Sequence, residues 1–254
     1  MNILVLGASS VIGSEIAAAL SPGHTLLLAG RDPGRLCQAA GLCRCAGAHE
    51  AIELPCDLER GSAALVEALG GRAVDVVVNA ASATSRLRDD DIDPAEWSAY
   101  LRVELSAPLE LVAALAARRS TPLVVVYISS ILAVTPSPNR QIYGGLKALH
   151  EAALRRMARA TGRLDVRIVR VGTIIDADRR TPRASALGRA VRTALDRGRP
   201  VVTYGASGRA LAAAHRIHPL LFAAVVRAVR IARRLRRPRT DAGGSMCGRQ
   251  QTKV

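Results

Sequence analysis

Tyr143-Gly-Gly-Leu-Lys147 sets a phenol and an ammonium four residues apart. On a helix that spacing stacks them on one face, one turn from each other. An ammonium so close stabilises a phenolate against a phenol, which makes the hydroxyl a usable proton donor and acceptor near neutral pH. The lysine is informative in its own right. Of 36 basic residues, all but Lys147 and Lys253 are arginine. Arginine would serve a solvated surface pair equally well; only lysine supplies a compact ammonium whose proton affinity can shift. Ser130 stands thirteen residues before Tyr143, at the end of an apolar run, where its hydroxyl could donate to the same oxygen as Tyr143.

A second constellation lies at the start of the chain. Gly7-Ala-Ser-Ser-Val-Ile-Gly13 follows a short apolar run and opens a helical pattern. Gly7 permits a tight turn, Gly13 a close approach of helix to strand, and the helix N-terminus offers N–H donors to a pyrophosphate. Ser9 and Ser10 add hydroxyls, and Ile12 opens the helix behind them. The next apolar run ends Leu28-Ala-Gly-Arg31. An acid there would accept from a ribose 2′-hydroxyl and favour NAD. Gly30 and Arg31 instead offer room and a guanidinium, which suits the 2′-phosphate of NADP; NAD is the second choice.

These groups need a scaffold, and the apolar pattern supplies one. Short β-like runs fall at Asn2–Leu6, Thr25–Ala29, Ala51–Leu54, Val74–Val78, Leu123–Ile128, Val166–Val171 and Pro200–Thr203. Helical stretches alternate with them: Ile12–Leu20, Arg35–Ala46, Gly61–Leu69, Glu96–Arg118, Tyr143–Ala160 and Ala184–Asp196. Alternation of this kind, with strands as continuously apolar as Leu123-Val-Val-Val-Tyr-Ile128, predicts an α/β fold: a doubly wound parallel sheet, Rossmann-like, in a single domain. That domain is expected over 1–206, a basic amphipathic helical tail over 207–239, and a frayed end over 240–254.

Composition narrows the function class. The 254 residues are 49% hydrophobic, enough for a sizeable core, and only 2% aromatic, which argues against stacking platforms for single-stranded nucleic acid. The net charge of +15 is unevenly spread. Residues 197–254 hold 12 Arg and 1 Lys against one acid, Asp241, leaving +3 for the first 196 residues. The five Cys include no Cys-x-x-Cys, so free thiols in a reducing cytosol are expected rather than a zinc site. His24, His49, His150, His215 and His218 have no metal-ligand spacing and read as structural or surface residues. No signal peptide is visible, and the late apolar run Ile217–Val226 is too short to span a bilayer.

With these residues in place, the chain resembles the short-chain dehydrogenase/reductase family over about residues 1–205. Gly7-x-x-x-Val11-x-Gly13 resembles the family's cofactor loop, with Val11 in place of its middle glycine. Cys56-Asp57-Leu58 looks like the acid that contacts adenine after the third strand. Asn79-Ala80-Ala81-Ser82 is similar to the segment after the fourth. Ile128-Ser-Ser130 matches the catalytic serine segment, and Tyr143 with Lys147 the active-site pair. Arg170-Val-Gly172 resembles the turn after the sixth strand, with Val171 replacing proline. Aligned without gaps from Trp97, Glu104 falls where the family has a helix asparagine that supports a water relay to the lysine. The resemblance implies hydride transfer between a nicotinamide and a ketone or secondary alcohol, with Tyr143 as proton donor. Lys147 would support it and bind the nicotinamide ribose, and Ser130 would orient the carbonyl. It also implies a homo-oligomer. Departures at Val11, Ser82, Glu104 and Val171 leave a second reading: a cofactor-binding sensor or scaffold that keeps the fold without the reaction.

The tail is read from periodicity. Over 220–237, Leu221, Phe222, Val225, Val229, Ala232 and Leu235 share one arc, with Arg227, Arg230, Arg234 and Arg237 opposite. An anionic membrane surface, the protein's own domain or a partner subunit, and nucleic acid are the competing contacts; the last lacks any base-reading motif. The tail and the altered loop are similar to bacterial decaprenylphosphoryl-ketopentose reductases, which implies a keto-sugar or lipid-linked substrate. Arg179, Arg180 and Arg183 could meet an anionic group on a substrate or simply be solvated. The expected location is the cytoplasm, with the tail against the inner face of the membrane as one alternative.

Overall fold

The structure, a computed structural model, describes residues 1–83, 89, 93–135, 137–172, 182–205, 209 and 213. The chain divides into Met1–Ala213 and Ala214–Val254, and every described residue belongs to the first unit. The expected tail over 207–239, the frayed end over 240–254, Arg179 and Arg180, and the side chain of Arg183 lie outside the described residues.

Strand β1 (Asn2–Leu6) leads into α1 (Val11–Leu20), β2 (Thr25–Gly30), α2 (Pro33–Cys45) and β3 (Glu50–Pro55). A 3₁₀ turn, Leu58–Arg60, and α3 (Ala63–Ala68) precede β4 (Val76–Asn79). Then come α4 (Trp97–Leu101), a π turn (Arg102–Ser106), α5 (Ala107–Ala117) and β5 (Leu123–Ser130). Helix α6 (Gln141–Thr161), β6 (Leu164–Val171), α7 (Pro182–Asp196) and β7 (Val201–Tyr204) complete the unit.

All seven strands are parallel, in the order β3-β2-β1-β4-β5-β6-β7. Each parallel step needs a crossover, and helices cover both faces, as the continuously apolar strands require. On one face Ile3, Val5, Leu26, Leu28 and Val126 pack with Ile16, Leu36 and Leu187 from α1, α2 and α7. On the other, Leu4, Leu6, Leu27, Val77 and Val125 pack with Leu65, Leu111 and Leu154 from α3, α5 and α6. The order reverses between β1 and β4, so the carboxyl ends of these strands flank the crevice where a doubly wound sheet binds its ligand.

The strand runs read from sequence differ from the observed strands by a residue or two at their ends. One element differs in kind. The single helix expected over Glu96–Arg118 is broken by the π turn. Pro108 has no N–H to give to the carbonyl four residues back, that of Glu104, and its ring crowds that carbonyl. The chain widens instead, and the Ala107 N–H donates to the Arg102 carbonyl five residues back. Glu104 is carried on this wide turn, a feature often found at functional sites.

Candidate active site

One cavity of about 550 Å³ opens on the carboxyl ends of the strands. Its floor is the turn between β1 and α1. Gly7 adopts a left-handed conformation (φ 76°), and a Cβ there would lie 2.8 Å from the Ala81 nitrogen; one on Gly13 would lie 2.2 Å from the Gly7 carbonyl oxygen. The turn therefore closes only with glycine at both ends. Ser10 caps α1: its Oγ accepts from the Gly13 N–H at 3.0 Å and donates to the Gly7 carbonyl at 2.8 Å. Its hydroxyl hydrogen is thus spent on the turn and is not free for the phosphate that the motif suggests. Gly7, Ser9, Ser10 and Ile12 line the cavity; Gly13 stands behind them as packing.

Arg31 and Arg35 line the same cavity past the end of β2. Arg31 Nη1 lies 2.6 Å from Glu59 Oε1, on a largely exposed side chain. Asp57 caps the 3₁₀ turn by accepting from the Glu59 N–H at 3.1 Å. Asp57 and Leu58 line this end beside Cys56, whose thiol is pushed up to about 11 by burial and then by Asp57. Ala80, Ala81 and Gly172 line the opposite wall. Asn79 does not reach the cavity. It is buried at the end of β4, and its Oδ1 accepts from the Ala81 N–H at 3.1 Å, shaping the turn that does.

The reactive end is built by β5 and α6. Ser130 ends β5; its Oγ accepts from the Leu132 N–H at 3.2 Å, which leaves its own hydrogen to donate. Its neighbour Ser129 donates at 2.7 Å to buried Glu151, which also binds Arg170 at 2.9 and 2.5 Å. Tyr143 and Lys147 lie in the first turns of α6, with Lys147 Nζ 5.6 Å from the Tyr143 ring centroid. A Cβ on Gly144 would sit 2.7 Å from the Leu132 carbonyl oxygen, so this glycine lets α6 close onto the turn after β5. Ser130, Tyr143 and Lys147 all line the cavity, and Arg140 lies over the Tyr143 ring at 4.5 Å.

Glu104 stands behind this group rather than in it. Its Oε2 lies 3.2 Å from Lys147 Nζ, with both side chains almost wholly buried. Its Oε1 accepts from Ser82 Oγ at 2.6 Å and from the Ala83 N–H at 2.9 Å. Burial alone would push the Lys147 ammonium down; the Glu104 carboxylate, helped by the Tyr127 and Tyr143 phenols, reverses that and holds it well above the ordinary lysine range. His150, read from sequence only as structural or surface, belongs to this cluster. Its Nδ1 lies 2.6 Å from the Glu104 carbonyl oxygen, and its ring stacks on Tyr127 at 4.0 Å. Burial pushes it down to about 4, so the ring is neutral and Nδ1–H donates. Its position three residues after Lys147, on the same helix face, was the available signal.

Comparison with known proteins gives a consistent picture. No curated protein matches the chain. Among solved structures, a bulky-bulky ketone specific alcohol dehydrogenase from Comamonas testosteroni is 21% identical, with 95% of this chain and 96% of that one covered and a TM-score of 0.71. A short-chain dehydrogenase from Sphingobium yanoikuyae, solved with NADPH, is 22% identical over 96% and 98%, with a TM-score of 0.69. A 3-oxoacyl (acyl-carrier-protein) reductase from Agrobacterium tumefaciens C58, solved with NADP bound, is 27% identical over 70% and 73%, with a TM-score of 0.61. The family described as short chain dehydrogenase matches residues 1–185, from the first strand through the Ser130, Tyr143 and Lys147 segment into α7. Fold, site and sequence match thus agree, and the chain belongs to the short chain dehydrogenase family of oxidoreductases.

Proposed function

We propose that the protein is an NADP(H)-dependent reductase of a ketone, or dehydrogenase of the matching secondary alcohol. The observation that carries this reading is that Ser130, Tyr143 and Lys147 line the same cavity as the β1–α1 turn and Arg31. That cavity fits a dinucleotide. The N-terminus of α1 opens on it with Ser9 and Ile12, the bare Gly30 lets Ser9 close onto the end of β2, where a Cβ would meet its Oγ at 2.6 Å, and Arg31 and Arg35 suit a 2′-phosphate. Gly7, Asp57, Leu58, Ala80, Ala81 and Gly172 would form the walls around it, with Asn79 and Gly13 shaping them.

A bound nicotinamide cofactor supplies or accepts the hydride. The chain's own residues handle the oxygen and its proton. Ser130 Oγ donates a hydrogen bond to the substrate oxygen, and Tyr143 Oη delivers the proton as that oxygen becomes an alcohol. Lys147 supplies positive charge behind Tyr143 and an ammonium for the ribose hydroxyls. The proposed substrate is a keto-sugar or a lipid-linked ketone, and the protein works as a homo-oligomer in the cytoplasm. No described helix is long and apolar enough to cross a membrane. The basic C-terminal tail is proposed to dock on an anionic membrane surface.

The reading is tested by thermal stabilisation with NADP(H) and NAD(H), followed by NADPH oxidation over a panel of keto-sugars. NADP(H) is expected to stabilise more than NAD(H), and Arg31→Ala to cut NADP(H) affinity by about tenfold or more with little change for NAD(H). Tyr143→Phe is expected to lose turnover by at least about 10²-fold while still binding cofactor. Turnover that survives Tyr143→Phe would refute the assignment. Cofactor binding with no turnover across the panel would favour the sensor or scaffold.

A further inference from the structure

We propose that Glu104 is the positioning residue that keeps Lys147 an ammonium across the working pH range, so that Lys147 acts as a fixed positive charge behind Tyr143 and passes on no proton of its own. This rests on the reading of Ser130, Tyr143 and Lys147 as the reacting centre, but it concerns the state of one side chain within that centre.

The burial of the pair carries the first step. Lys147 is 2% exposed and Glu104 2% exposed. A lone ammonium so placed sheds its proton, because low polarity disfavours the charged form. A carboxylate oxygen at 3.2 Å removes that tendency. Nor can the carboxylate readily turn away or take up a proton. Ser82 Oγ at 2.6 Å and the Ala83 N–H at 2.9 Å both donate to Oε1, and donors of this kind favour the charged form.

The backbone beneath Glu104 is fixed as well. Pro108 leaves the Glu104 carbonyl without its helical donor, and His150 Nδ1 supplies one at 2.6 Å. Four described groups face Lys147: Glu104 from the π turn, Tyr127 from β5 with its ring centroid at 5.2 Å, and Tyr143 and His150 from its own helix. Arg140 lies over the ring of Tyr143. Glu151, one turn further along α6, is turned to Ser129, Arg155 and Arg170. Among these groups Glu104 is the anion in contact with the ammonium. When Tyr143 Oη gives its proton to the substrate oxygen, the phenolate left behind is re-protonated by solvent entering the cavity, the hydroxide so formed being neutralised in bulk solvent, and the N–H bonds of Lys147 stay intact.

The scarcity of lysine makes a direct test clean. Isotope-labelled lysine gives the full-length protein two side-chain NMR signals, Lys147 and Lys253, which Lys253→Arg assigns. Lys253 serves as the internal reference, and Lys147 is expected to show no titration before the protein unfolds. In Glu104→Gln the Lys147 titration is expected to move down by more than about one pH unit, into the accessible range. A Lys147 signal that titrates with or below Lys253 in the unaltered protein would overturn the proposal, as would a Lys147 curve unmoved in Glu104→Gln. If Glu104→Gln does not fold, Ser82→Ala is the milder change with the same expected direction, and the unaltered protein's own curve decides without any variant. The readout needs no substrate, so a failed search for turnover leaves it intact.

Discussion

His150 Nδ1 lies 2.6 Å from the main-chain oxygen of Glu104, a residue 46 positions earlier. The contact joins α6, which carries Tyr143 and Lys147, to the π turn, which carries the counter-ion of Lys147. Pro108 makes the carbonyl available by having no N–H to offer it. A helix defect, a neutral histidine and a buried ion pair thus form one device behind the reacting groups.

The ion pair within that device is expected to be costly to break and cheaper to remove whole. Glu104→Leu leaves Lys147 buried without its counter-charge, which costs about 3–5 kcal/mol. The double variant Glu104→Leu/Lys147→Met removes both charges and is expected to recover most of that loss. Urea unfolding of the two single variants and the double variant measures it. Simple additivity of the two single losses would show that the pair is not coupled.

His150 sets a pH dependence of stability whose sign follows from its environment. Burial lowers it from 6.5 to about 4 in the folded protein. Above pH 6.5 both states hold a neutral ring, and His150 contributes no slope. As the pH falls from 6.5 to 4 the unfolded chain takes up a proton that the folded one refuses, so stability falls by about 3 kcal/mol across that window. His150→Asn is expected to flatten this part of the stability profile, measured by denaturant unfolding at a series of pH values. An equal slope in the variant would place the titration elsewhere.

Gly144→Ala probes the closure of α6 onto β5. The new Cβ would meet the Leu132 carbonyl oxygen at 2.7 Å, so the helix must shift. Overpacking of this kind costs about 1–3 kcal/mol, and displacing Tyr143 from Ser130 is expected to lower kcat by about 10²-fold. Gly145→Ala is the control, because a Cβ at Gly145 meets nothing within 4 Å. Steady-state kinetics that fall equally in both variants would count against this account.

The tail is tested on whole protein. Full-length chain is expected to float with vesicles rich in anionic lipid and not with neutral ones. Replacing Arg227, Arg230, Arg234 and Arg237 with Gln is expected to abolish flotation, at about 1 kcal/mol of attraction lost per arginine. Equal behaviour on both vesicle types would sink the membrane role and favour packing on protein.

Sequence alone was enough for what depends on local order. The Tyr143 and Lys147 spacing fixes a shared helix face, Gly7 and Gly13 fix a tight turn, and uninterrupted apolar runs such as Leu123–Ile128 imply a sheet covered on both sides. That the strands run parallel then follows from the helices between them, whereas their order, with β1 beside β4, is seen only in the fold. What sequence could not show is how groups far apart in the chain meet. The helix expected over Glu96–Arg118 looked continuous because its apolar spacing is helical throughout; the missing N–H of Pro108 acts through hydrogen bonding, which hydrophobic periodicity does not register. Glu104 could be aligned from Trp97 with the family's helix asparagine, but its grip on Ser82 and Ala83 is a long-range contact. His150 resembled any other unspaced histidine until α6 docked against the π turn. Ser10 looked like a phosphate donor until its hydrogen was found on the Gly7 carbonyl. Residue type and spacing decide which chemistry is available; the packed chain decides which polar atoms are already spent on one another and which face the cavity.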